Sequence, residues 1–179
     1  MEADWEFEIG GAAPVIEAYW PGFVNLRDEP ARVREIAETQ VLPGLAAALL
    51  RLNETGSPVW TCKTDVFTPD RVDPDELAAT TDEAKFTIAC YVDILMRSDQ
   101  IWNSPSQAEK DCRMLCKRLR EVPMPCCRID LVVRRARVGN DNDLGATVYL
   151  TACGPTLASA KQRLAECLGV FAESMVARW

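Results

Sequence analysis

Residues 126–154 constrain the fold of this chain more than any other stretch. They read CCRIDLVVRRARV, GNDNDLG and ATVYLTACG, two alternating runs about a turn of Gly, Asn and Asp. That pattern predicts a long β-hairpin. Side chains alternate across a strand. Cys127, Ile129, Leu131 and Val133 therefore share one face of the first run, and Arg128, Asp130 and Arg134 the other. In the second run Ala146, Val148, Leu150 and Ala152 oppose Thr147, Tyr149, Thr151 and Cys153. The hairpin has an apolar face that needs cover and a polar face free for chemistry.

The rest of the chain can be read against that division. Trp5, Phe7 and Ile9 alternate with Asp4, Glu6 and Glu8, which predicts a short first strand. Residues 10–27 are long for a connection and carry Tyr19, Trp20 and Phe23. They are expected to form a helical turn over 14–20 and to cover part of the sheet. Asp28 is the expected cap of a first helix whose stripe is Val33, Ala37, Val41, Leu45, Ala48 and Leu52, kinked or broken at Pro43. Residues 57–67 predict a second strand, with Trp60, Cys62 and Val66 on its drier side and Thr61, Lys63 and Asp65 on its wetter side. A Pro- and Asp-rich loop follows, with a turn after Asp73 and Pro74. In residues 85–97, Phe86, Ile88, Cys90, Val92, Ile94 and Met96 alternate without a break, which favours a strand over a helix. Ser104, Pro105 and Gln107 match the cap, first turn and capping box of a helix with the stripe Ala108, Cys112, Leu115, Leu119 and Val122. A last helix opens after Gly154, Pro155 and Thr156, with Leu157, Ala160, Leu164, Leu168, Phe171 and Met175 on one side. The order β-α-β-β-α-β-β-α predicts an α+β fold. We expect a single-domain two-layer sandwich over residues 1–179, its mainly antiparallel sheet covered by helices on one face.

Composition narrows the chemistry. The chain has no His, which removes the commonest general base and every His-paired nucleophile or His-containing metal site. Its net charge is −7, so nucleic acid is not an expected partner. No membrane span is expected, because no window holds roughly 18 uninterrupted apolar residues. The acidic start MEADWEFEIGG lacks the pattern of a signal peptide, which predicts a cytoplasmic protein. The eight cysteines include no CxxC pair. They are expected to be reduced, buried and free of metal.

One short pattern recurs. Cys62, Cys90 and Cys127 each begin a Cys-x-x-Asp run, ending at Asp65, Asp93 and Asp130 and followed by two hydrophobic residues. Positions three apart in a strand face opposite sides, so each Cys is expected in the core and each Asp on the polar face. Lys63, Tyr91 and Arg128 stand two residues before the three Asp residues and share their face. With Tyr149 from the hairpin, these seven are the candidate binding residues. Arg97, Arg134, Thr147 and Thr151 are expected to join them.

Cross-strand ion pairing alone could account for such a face, each pair contributing roughly 0.2–1 kcal/mol. The functional expectation is a small acidic binding or interaction module that uses this face, with no catalysis and no cofactor implied. Its partner is an unidentified small molecule or a basic protein, and a homodimer that covers the face is also consistent. One alternative is an enzyme using the strand carboxylates for acid–base or divalent-cation chemistry. A second is a redox or metal protein using Cys112 and Cys116.

Overall fold

The computed structural model describes residues 1–97, 102–139 and 141–177. One sheet runs through it. Its strands are β1 (Glu2–Glu8), β2 (Ile16–Glu17), β3 (Val59–Phe67), β4 (Phe86–Met96), β5 (Cys127–Val138) and β6 (Asp141–Gly154). The spatial order is β1-β5-β6-β4-β3, with β2 beside β5 as a second, short partner. β5, β6, β4 and β3 pair antiparallel, while β1 and β2 pair parallel with β5. The helices are α1 (Glu38–Val41), α2 (Leu45–Asn53), α3 (Pro105–Arg120) and α4 (Leu157–Val176). α2, α3 and α4 share one buried cluster with Ile129, Leu131, Val133, Val148 and Leu150, so they lie on one face of the sheet. The fold is the expected α+β sandwich.

The hairpin forms as its alternation requires. Cys127, Ile129, Leu131 and Val133 pack under the helices with Ala146, Val148, Leu150 and Ala152. The strands run further into the turn than the Gly/Asn/Asp stretch suggests, because Val138 already pairs with Asp141. Gly139 supplies the left-handed conformation there, at φ +63°. Asn140, also assigned to the turn, lies outside the described residues. β4 is a strand as expected, its alternate residues Ile88, Cys90, Val92 and Ile94 buried in the main core. The caps of the two long helices also form. Ser104 accepts from the Gln107 backbone N–H, which is one half of the expected capping box, and Thr156 makes a full capping box with Ser159. Along α4, Ala160, Leu164, Leu168, Phe171 and Met175 are all buried, and burial of each large side chain contributes about 1.5–3 kcal/mol.

Several local expectations fail for identifiable reasons. The first helix is three pieces: a 3-10 turn at Pro30–Glu35, then α1, then α2. Pro43 disfavours helical geometry at the preceding residue, and Leu42 is extended at φ −117° and ψ 109°. Gly44 then reverses the chain at φ +85°. The break rotates the stripe, so Leu42 is buried while Val41 is 49% exposed. Asp28 caps nothing and instead accepts from the Asn25 amide. Residues 14–20 contain strand β2 rather than a helical turn, because Ile16 and Ala18 are held in extended pairing along β5. Leu157 lies at the start of α4 but outside its buried side. Cys153, expected on the polar face, is buried with Cys126 beneath Leu77, where the 68–84 loop folds over the end of the hairpin.

The most consequential departure is in β3. The pairing with β4 runs Thr61 to Ile94 and then Lys63 to Asp93, so Cys62 is an extra residue, a β-bulge. The bulge changes the phase of the strand. Val59 packs under the helices, and buried Thr61 bonds Asn53 of α2. Trp60 and Cys62 belong to a second cluster with Ile16, Ala18, Leu95 and Ala136. Cys62 is therefore buried as expected, but on the face opposite Cys90 and Cys127. The loop 10–27 covers it there. Gly145 permits this cover: a Cβ at that position would lie 2.7 Å from the Ile94 carbonyl oxygen and 3.1 Å from Ile16.

Candidate functional site

The second face of the sheet is the polar one, and it reads as rows across the strands. Asp65 pairs with Tyr91, Tyr91 with Tyr149, Tyr149 with Asp130, and Asp130 with Asp4. The next row runs Lys63, Asp93, Thr147, Val132 and Glu6. All three Asp residues of the Cys-x-x-Asp runs thus share this face, together with Lys63, Tyr91, Arg128 and Tyr149. They do not converge on one point.

Lys63, Tyr91, Asp93 and Tyr149 line a cleft of about 450 Å³ between the sheet and residues 14–20. Arg134 and Thr147 complete its floor, while Val15, Ile16 and Trp20 form the opposite wall. Arg128 and Asp130 belong to an adjoining depression toward β1, which shares Arg134 and Tyr149 with the cleft. There Arg128 donates through Nε and Nη2 to the Asp130 carboxylate at 2.7–3.0 Å, a pair closed on itself. Its guanidinium pKa is raised by that carboxylate. Asp65 is exposed on the edge strand and lines neither hollow. Arg97, expected on the face, instead clamps the carbonyls of Asn53, Glu54 and Val59.

A hydrogen-bond chain crosses the cleft floor. Arg134 donates through Nε and Nη2 to Glu8 Oε2, at 2.9 and 2.7 Å. Its Nη1 donates to Thr147 Oγ1 at 2.9 Å and, at 3.5 Å, to the Tyr149 hydroxyl. Thr147 Oγ1 in turn donates to Asp93 Oδ1 at 2.6 Å. Burial opposes the charge of Arg134, yet Tyr149 and Glu8 together outweigh it and raise its pKa. Asp93 is only 8% exposed. Burial pushes its carboxyl pKa up, against the smaller opposing effects of Thr147, Arg134 and Lys63. No described residue donates to Asp93 Oδ2, and Asp93 is in no ion pair among the described residues.

Lys63 faces Asp93 across the bulge-shifted register. Its Nζ lies 5.9 Å from the Trp20 ring centre and 6.0 Å from that of Tyr91, within cation–π range. The Tyr91 hydroxyl is the largest influence raising its pKa. The Tyr91 and Tyr149 rings are 6.0 Å apart. The wall is held in place by Trp20, whose Nε1 donates to the Cys62 carbonyl at 2.9 Å, and by an aromatic group of Tyr19, Phe23 and Trp60. The Arg27 guanidinium stacks on Trp60 at 3.9 Å.

Arg134, Thr147, Trp20 and Glu8 take part without being among the seven candidates. The first two were legible from alternation alone, since they share a face with Arg128 and Tyr149. Trp20 carries no periodic signal that ties it to the sheet. No group of three or more Cys, Asp or Glu among the described residues is placed to hold a metal ion. No described helix is long and apolar enough to cross a membrane. No family model, curated protein or solved structure matches the chain.

Proposed function

We propose that this protein is a binding module for a small molecule, and that its site is the cleft between residues 14–20 and the polar face of the sheet. The observation that carries the reading is Asp93. Its side chain is nine-tenths buried, and burial disfavours its charge. One oxygen takes the Thr147 hydroxyl; the other opens on the cleft and accepts nothing from the described residues. A bound group that donates to Oδ2 would stabilise the buried charge. The surroundings fit a ligand site: an apolar and aromatic wall, a few converging polar groups, and a volume within the usual range of roughly 300–1,000 Å³.

The test is a thermal-shift screen of wild-type protein against small metabolites of different charge class. A ligand that binds only the native state must raise the midpoint. Compounds that shift wild type but not Tyr149→Ala support the cleft. A screen in which nothing shifts wild type, or in which Tyr149→Ala responds equally, rejects it.

A second reading, acid–base catalysis at Asp93, draws on the raised carboxyl pKa, which moves an acid toward the working pH. It predicts a compound that binds Asp93→Asn but is turned over only by wild type. A bound compound recovered unchanged from wild type excludes this for that compound.

A further inference from the structure

The cleft's charges are not all alike in state. Arg134 is closed by Glu8, and Glu17 on the rim is closed by Arg137 at 2.8 Å. Lys63 and Asp93 remain. They are directly paired residues on one face, of opposite sign, and both line the cleft. Among the described residues neither takes part in an ion pair, with each other or with a third group. Asp93 is buried and Lys63 reaches toward the rim, over Trp20 and Tyr91.

A ligand of one sign answers only half of this arrangement. An anion drawn to Lys63 would approach the Asp93 carboxylate, and a cation drawn to Asp93 would approach Lys63. A molecule that carries both signs on neighbouring atoms satisfies both. Its ammonium would donate to Asp93 Oδ2, and its carboxylate would face the Lys63 ammonium. Between them, the rings of Trp20, Tyr91 and Tyr149 line the cleft and supply apolar surface for an aromatic body. Resting on the small-molecule reading above, we propose that the cleft binds a zwitterionic amino compound of the α-amino acid class, with an aromatic side chain against Tyr91, Tyr149 and Trp20.

The experiment compares whole and half molecules by calorimetry and thermal shift. The probes are L-phenylalanine, L-tyrosine and L-tryptophan, with phenethylamine as the ammonium half and 3-phenylpropionate as the carboxylate half. L-phenylalanine is expected to bind wild type at least about tenfold more tightly than either half, the equivalent of one ion pair of roughly 1.4 kcal/mol. In Asp93→Asn the carboxylate half should match the zwitterion, and in Lys63→Met the ammonium half should. The wild-type comparison stands even if a variant fails to fold. A half molecule that equals the zwitterion on wild type overturns the proposal. So does silence from all three amino acids while compounds of another class shift wild type and not Tyr149→Ala, a result that leaves the binding cleft intact. Silence from every class overturns the proposal and the binding reading together.

Discussion

The indole of Trp20 is tied to the backbone of Cys62, its Nε1 donating to the bulge carbonyl at 2.9 Å. With the packing of Tyr19 and Phe23 on Trp60, this contact joins the 10–27 loop to the edge of the sheet at the point where β3 changes phase. The bulge turns Cys62 under the loop and sets Lys63 against Asp93. The wall and the floor of the cleft therefore depend on the same irregularity.

Trp20→Phe keeps a ring in the wall but removes the donor. One hydrogen bond of this kind contributes about 1 kcal/mol. Urea unfolding should show a loss of that size. Alkylation of Cys62 should also become faster in the variant, as the loop lifts from the strand. Unchanged Cys62 reactivity would mean that the β2 pairing and the packing of Tyr19 and Phe23 on Trp60 hold the loop down without this bond.

Asp93 gives a pH dependence with a defined sign. Its folded-state pKa is raised by burial, so the charged form is disfavoured in the folded protein. The contribution to stability is fully present below the unfolded-state value of about 3.9 and is lost as pH rises through the folded value. Asp93→Asn keeps an acceptor for Thr147 and cannot ionise. It should melt above wild type at neutral pH, and the gap should close as pH falls toward the ordinary carboxylate range. Melting curves from pH 3 to 8 on both proteins test this, and a gap that widens in acid would contradict it.

Arg128 and Arg134 should differ in cost. Arg128 makes a partly exposed pair with Asp130, and removing it should cost at most about 1 kcal/mol. The Arg134 side chain is 13% exposed and holds Glu8, Thr147 and Tyr149 at once. Arg134→Ala should cost about 1.5–3 kcal/mol, the range for bonds to charged groups. Denaturant unfolding of the two variants decides it, and equal losses would remove the special role given to the chain of bonds across the floor.

Gly145→Ala puts a Cβ against the Ile94 carbonyl and Ile16. The backbone oxygen cannot move aside without disturbing the β4–β6 pairing. A destabilisation of about 1–3 kcal/mol is expected from overpacking, with faster proteolysis in residues 10–27. A variant as stable as wild type would show that the loop already stands off the sheet in solution.

All eight cysteines are buried and none is in a disulfide. Burial pushes the thiols of Cys90, Cys116 and Cys153 up to about 12, and that of Cys62 higher still. The Cys127 thiol is instead pulled down by its hydrogen bond with Cys167, so its protection rests on burial alone. At pH 8 the native protein should react slowly with a thiol reagent such as DTNB, and denatured protein should release eight equivalents at once. Fast reaction of any native thiol would mark a cysteine whose cover opens.

Periodicity was enough to locate every long strand and the two capped helices, and it assigned the hairpin faces correctly. The reason is that a two-residue repeat leaves no choice once one face must be dry: a slip of one residue would turn Ile129, Leu131 and Val133 outward. The shared face of Asp65, Asp93 and Asp130 follows from the same rule. Tertiary structure decided what no repeat encodes. Cys62 became a bulge residue because Val59 and Thr61 face the helices and Trp60 the loop, while Lys63 and Asp65 also stand on the loop's side, and no unbroken alternation serves both halves of the strand. Ile16 and Glu17 became a short strand because the parallel side of β5 beyond β1 was open to pairing, which local propensity cannot know. Arg128 and Arg134 look equivalent in sequence. One met a carboxylate two residues away, and the other was placed by the pairing of β5 with β1 and β6 between Glu8 and Thr147, at the floor of the cleft.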